Sequence, residues 1–82
     1  MPKIPTITGK ELIKFLRSLG FEITRIKGSH VRMWFKNEKA TTVPVHGNKI
    51  LPKGLLRKII REDLEMTIEE FVEIYSKYKK RR

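Results

Sequence analysis

The residues with the clearest chemical potential lie together in Lys27-Gly28-Ser29-His30, which runs directly into Val31-Arg32-Met33-Trp34-Phe35. Strict alternation across the second stretch sets His30, Arg32 and Trp34 on one face of a strand and Val31, Met33 and Phe35 on the other. The second set reads as core, and the first exposes an imidazole, a guanidinium and an indole. An imidazole has a reference pKa of about 6.5, so near neutrality it can either take or give a proton. Cleavage of a ribose phosphodiester asks for little more. The 2′-hydroxyl attacks the adjacent phosphorus, and a general base, a general acid and positive charge around the phosphorane suffice without a metal. His30 is the catalytic candidate, Lys27 and Arg32 are the cations, and the Gly28-Ser29 backbone would let a phosphate approach. A purely structural strand histidine is the alternative reading.

Other residues extend this set. His46 follows a third strand, and a meander would return it to the end of the sheet where His30 lies, as a second proton-transfer group, a phosphate ligand or a solvated turn residue. Trp34, the single tryptophan, offers a stacking surface for a base, or packs beneath a long side chain or against the last helix. Lys49, Lys53, Arg57 and Lys58 surround the start of a second helix, where free backbone N–H groups and positive charge suit a phosphate, unless they form only a solvated face. Tyr75 and Tyr78 recur at helical spacing and read as core or interface. Neither histidine sits in a ligand-spaced cluster, so no metal site is expected. There is no phosphate-binding glycine loop, dinucleotide fingerprint, zincin motif or nucleophile elbow, and no cofactor is implied.

Positioning these groups requires a small mixed domain. Thr8 and Glu11 form a capping box for a helix whose apolar face is Leu12, Ile13, Phe15, Leu16 and Leu19, and Gly20 stands where a left-handed residue would stop it. The polar side of that helix carries Lys10, Lys14 and Arg17. Strands are predicted over 21–27, 30–36 and 40–45, with Phe21 and Ile23 on one face of the first and Ile26 on the other. The turns are Gly28-Ser29 and Asn37-Glu38-Lys39, and Pro44 suits an edge or a strand end. Pro52 opens a second helix with Leu55, Leu56, Ile59 and Ile60 buried. Gly54 within it marks either a close approach or an irregular start. After a break over 63–66, Thr67 and Glu70 cap a last helix bearing Ile68, Phe71, Val72, Tyr75 and Tyr78. The expected class is α+β, a three-stranded antiparallel sheet with helices on one face, in the order α-β-β-β-α-α. Residues 1–82 read as one domain, with a short extended lead over 1–7 and a basic, mobile tail over 79–82.

Composition narrows the partner. The chain has 82 residues, with 19 Lys and Arg against 9 Asp and Glu, for a net charge of +10. Such an excess points to an anionic partner: nucleic acid, a membrane surface or an acidic protein. No run is long and apolar enough to span a bilayer, and the start lacks a signal-peptide core, so a cytoplasmic protein is expected. With no cysteine, disulfides and thiolate chemistry are excluded.

The ordered set Thr8-Gly9-Lys10-Glu11, Leu19-Gly20-Phe21, Lys27-Gly28-Ser29-His30, Val43-Pro44-Val45-His46-Gly47-Asn48 and Lys53-Gly54-Leu55-Leu56-Arg57 resembles the HicA family of toxins from toxin–antitoxin pairs. That resemblance implies a fold like the double-stranded RNA-binding domain. It also implies an endoribonuclease that cleaves mRNA until a cognate HicB-type antitoxin covers it, with His30 matching the catalytic histidine of the family's Gly-Ser-His motif. Family members commonly carry a histidine or polar residue where this chain has Val31, which should face the core. Two other readings are a non-catalytic module for double-stranded RNA and a protein-interaction module for an acidic partner.

Overall fold

The computed structural model describes residues 3–81 and has the order α1 (Gly9–Ser18), β1 (Glu22–Lys27), β2 (His30–Phe35), β3 (Lys39–Pro44), α2 (Lys53–Lys58), a π-helical turn (Ile59–Asp63) and α3 (Ile68–Lys80). The strands form one antiparallel sheet in the order β1-β2-β3, as the short connections required. The expected α+β class and element order are both observed.

α1 begins with the capping box: the Glu11 N–H donates to Thr8 Oγ1 at 3.1 Å and the Thr8 N–H to Glu11 Oε1 at 2.8 Å. Its end is equally well defined. Phe21 N–H donates to the Leu16 carbonyl and Gly20 N–H to that of Arg17, with Gly20 at φ +110, which is the Schellman pattern. The helix buries Leu12, Phe15 and Leu16 against the sheet face formed by Val31, Met33 and Val43. α3 repeats the capping box at Thr67 and Glu70 and packs on α1 through aromatic edges. Phe15 lies 5.4 Å from Phe71 and 5.1 Å from both Tyr75 and Tyr78, centroid to centroid.

The described part of the extended lead contributes two residues to the core. Ile4 and Ile7 are buried, Leu51 N–H donates to the Ile7 carbonyl at 2.8 Å, and Thr8 bridges Ile50. The start of α1 is thereby pressed onto the end of β3, so closely that a Cβ on Gly9 would stand 2.2 Å from the Pro44 carbonyl oxygen. Gly54 differs: a Cβ there would meet nothing within 4 Å. Of the two readings of Gly54, close approach of another backbone is therefore the one to discard.

β1 departs from simple alternation. Ile23 pairs with Met33 and Ile26 with Val31, with a shift of register between Ile23 and Arg25. Directly paired residues of antiparallel strands share a face, and Met33 and Val31 face the helices. The bulge therefore turns Ile26 to the same side as Ile23, correcting the expectation of opposite faces. Neither is covered, since Ile23 is 39% and Ile26 64% exposed.

The turn after β2 starts at Lys36, one residue earlier than expected, with Lys36 and Asn37 both at positive φ. The second helix is also not uniform. After Lys58 the chain widens into a π-helical turn closed by Leu64 N–H to the Ile59 carbonyl. That turn is bound to β3: the buried Thr41 hydroxyl donates to Asp63 Oδ2 at 2.8 Å, and Lys39 Nζ to the Leu64 carbonyl at 3.2 Å. Lys79 and Lys80 belong to α3 and Arg81 is its C-cap, so the basic end starts within a helix. Arg82, the end of the expected tail, lies outside the described residues.

Candidate active site

The site begins at the β1–β2 turn. Lys27 pairs with His30, which leaves Gly28 and Ser29 as a two-residue hairpin loop. Gly28 has φ +59, and no positive φ occurs at Ser29. This is the sign pattern of a type II′ turn, whose first central position favours glycine. A Cβ on Gly28 would meet nothing within 4 Å, so the glycine serves backbone geometry and leaves the loop open from outside. The loop is pinned from its other side by Val45 N–H donating to the Ser29 carbonyl at 2.7 Å.

His30 is exposed on the sheet face opposite the helices, while Val31 is buried on the inner face, as alternation required. Lys27, His30 and Pro44 form one cross-strand row, and Arg25, Arg32 and Thr42 form the next. Arg32 is held in two ways. Its Nη1 donates to Thr42 Oγ1 at 3.0 Å, and its guanidinium carbon lies 5.7 Å from the centre of the Trp34 ring. Trp34 is thus half-exposed on the His30 face beside Arg32, and it does not pack against the last helix.

Arg25, Lys27, His30, Arg32 and Thr42 line a shallow hollow of about 260 Å³. Three cations surround one imidazole there, and no carboxylate lines the hollow. This arrangement attracts an anion and can stabilise charge that develops on it. Arg25 and Thr42 were not among the sequence-derived candidates. Strict alternation from Phe21 and Ile23 would have turned Arg25 inward, and the bulge turns it outward. The three-residue spacing of Ile23 and Ile26 was the available signal, because an apolar pair at odd spacing within one strand is what an inserted residue produces.

The other candidates are placed elsewhere. His46 follows Pro44 at the same end of the sheet, in a turn closed by Lys49 N–H to its carbonyl at 3.0 Å, but it does not line the hollow. Lys49 is in that same turn, Lys53 begins α2, and Arg57 lines a separate depression with Gly54, Lys58, Arg61 and Glu62. The hollow therefore gathers Lys27, His30 and Arg32 from the expected set, with Trp34 adjoining, and leaves out His46, Lys49, Lys53 and Arg57. Among the described residues, no three His, Asp or Glu side chains come together as a metal cluster, and no helix is long and apolar enough to cross a membrane.

The model of a family described as the HicA toxin of bacterial toxin–antitoxin matches residues 9–64. The chain belongs to the HicA toxin family. The matched span runs from the first residue of α1 to Leu64, just past the π-helical turn, and includes the sheet and the whole His30 hollow. It leaves α3 outside. No curated protein and no solved structure matches the chain. A HicA toxin is the toxin half of a toxin–antitoxin pair, so an antitoxin is its general partner.

Proposed function

We propose that this HicA toxin is a metal-independent endoribonuclease that cuts mRNA at the His30 hollow and is restrained by a HicB-type antitoxin. The observation that carries the reading is the composition of the hollow: one exposed imidazole among Arg25, Lys27 and Arg32, on a rigid hairpin, without a competing carboxylate. In the proposed reaction a ribose 2′-oxygen loses its proton and attacks the adjacent phosphorus. The P–O5′ bond then breaks as the leaving 5′-oxygen gains a proton, leaving a 2′,3′-cyclic phosphate. His30 carries one of the two proton transfers, Arg32 and Lys27 hold the non-bridging oxygens, and Trp34 stacks a neighbouring base.

The test is cleavage of labelled single-stranded RNA in the presence of a chelator, comparing the unaltered chain with His30→Ala. The unaltered chain should cut, and the variant should lose at least about 100-fold in rate while melting at the same temperature. Equal cleavage by the variant would refute the assignment of His30, and loss of all cleavage in chelator would refute the metal-free reading. An RNA with sulfur in place of the leaving 5′-oxygen then identifies the proton transferred. Its better leaving group needs no acid, so it restores His30→Ala only if His30 is the general acid. If the chain binds duplex RNA and cuts no RNA, the double-stranded RNA-binding module is the better reading.

A further inference from the structure

The segment that the family match leaves out creates a second surface. α3 lies beside α1, and between them runs a groove of about 350 Å³. Lys10, Lys14 and Arg17 border it from α1 and Lys79 from α3, while Tyr75 and Tyr78 line its α3 side. Tyr75 is nearly buried and Tyr78 half-exposed. Lys10, Lys14 and Arg17 follow each other at helical spacing along one stripe, with Lys10 and Lys14 separated by about 6 Å of helix rise. That is comparable to the step between successive phosphates of a nucleic-acid strand. Among the described residues none of these four cations is in an ion pair, so their charge is uncompensated apart from Glu11 at the rim. Lys79 Nζ stands 5.9 Å from the Tyr75 ring centre.

The groove lies in the helix layer and the His30 hollow on the opposite face of the sheet, and the two share no residue, but the end of β3 stands between them. The first turn of α1, which carries Lys10, abuts the Pro44 carbonyl, and Pro44 pairs with His30 across the sheet. A strand leaving the hollow and passing the end of β3 would reach Lys10 first and then Lys14 and Arg17. We infer that the α1–α3 groove binds the backbone of single-stranded RNA beyond the cleavage site, making α3 an RNA-binding addition to the toxin. The inference rests on the RNA-cleaving reading of the His30 hollow. Charge complementarity calls for an anionic occupant, and the short path round the end of β3 from the hollow favours an RNA strand over an acidic peptide. The half-exposed Tyr78 ring also offers a stacking surface at the α3 edge.

The experiment uses the full chain and fluorescently labelled 2′-O-methyl RNA, which cannot be cut because its 2′-oxygen carries no proton. A 24-nucleotide strand can occupy hollow and groove together, whereas a 3-nucleotide strand is too short to span a molecule of 34 × 28 × 26 Å from one to the other. Lys14→Glu with Lys79→Glu should weaken 24-mer binding at least tenfold. It should also reduce the salt slope by about 1.4, the value for two phosphate contacts to a single strand. Its 3-mer affinity and its cleavage of an unmodified 3-mer should be unchanged. Lys14→Gln with Lys79→Gln should give a smaller loss in the same direction, and Lys36→Glu with Lys77→Glu, which changes net charge equally, should have much less effect. Unchanged 24-mer binding, an equal loss for the 3-mer, or an equal loss in the charge-matched control would overturn the inference. So would selective loss of a polyglutamate peptide in place of RNA, which would make the groove a protein-docking site. Failure of the underlying reading is visible separately, as absence of cleavage of both strands in unmodified form by the unaltered chain.

Discussion

Replacing Gly9 by alanine tests how the start of α1 is joined to the sheet. Helix propensity alone favours alanine over glycine by about 1 kcal/mol, so a local argument expects a more stable protein. The structure expects the opposite. The added Cβ would lie 2.2 Å from the Pro44 carbonyl oxygen, about 0.8 Å inside the 3.0 Å below which such contacts essentially never occur. Neither side can yield cheaply, because Thr8 is bridged to Ile50, the Ile7 carbonyl is held by Leu51, and Pro44 is paired with His30. Overpacking of this kind costs about 1–3 kcal/mol. For a domain of this size each kcal/mol lowers the melting temperature by about 4–8 °C. Urea unfolding followed by Trp34 fluorescence gives the free energy, and calorimetry gives the melting temperature. Gly54→Ala is the matched control. Its Cβ meets nothing within 4 Å, so it should stabilise by about 0.4–1 kcal/mol. If Gly9→Ala also stabilised, the tight junction of α1 with β3 would be wrong. If the chain cuts RNA as proposed, any Gly9→Ala protein that folds should do so more slowly, because Pro44 pairs with His30.

Thr41→Val removes the buried hydroxyl that donates to Asp63. The loss should be about 1.5 kcal/mol by urea unfolding, near the low end for a bond to a charged group because Asp63 is itself half-exposed to water. Phe15→Ala empties the site where α1 meets Phe71, Tyr75 and Tyr78, and should cost about 3–5 kcal/mol, with hydrogen exchange showing α3 amides losing protection first. Arg32→Met should leave the melting temperature nearly unchanged, since the side chain is exposed. It should weaken binding of non-cleavable RNA and lower the salt slope by about 0.7, one phosphate contact.

Local chemistry was legible where one short segment settles it. Both capping boxes, the stop at Gly20 and the hairpin at Gly28 depend on residues within a turn of one another, and all four occur as their spacing indicates. The outward direction of His30, Arg32 and Trp34 was legible for the same reason, since β2 is the central strand and its two neighbours hold it to strict alternation. What could not be read depends on distant contacts. The burial of Ile4 and Ile7 follows from pairing with the loop before α2, some forty residues away. The π-helical turn ends where Asp63 and the Leu64 carbonyl meet side chains from β3.

The bulge in β1 ties these two cases together. A uniform alternation from Phe21 would bury one face of β1 and send Arg25 inward beside Ile23, where no buried partner could have neutralised it. Inserting one residue before Arg25 leaves Ile23 and Ile26 together on the inner side, uncovered because the helices do not extend over the edge strand. The same insertion carries Arg25 out beside Arg32, where it becomes the third cation of the His30 hollow. Deleting Thr24 would join Ile23 directly to Arg25 and keep Arg25 opposite Arg32, so the charge of the hollow should survive it. Arg25→Gln, by contrast, should remove that charge without touching His30, lowering RNA affinity and its salt dependence together. If affinity and salt slope survived in folded Arg25→Gln, Arg25 would have no part in holding the proposed substrate.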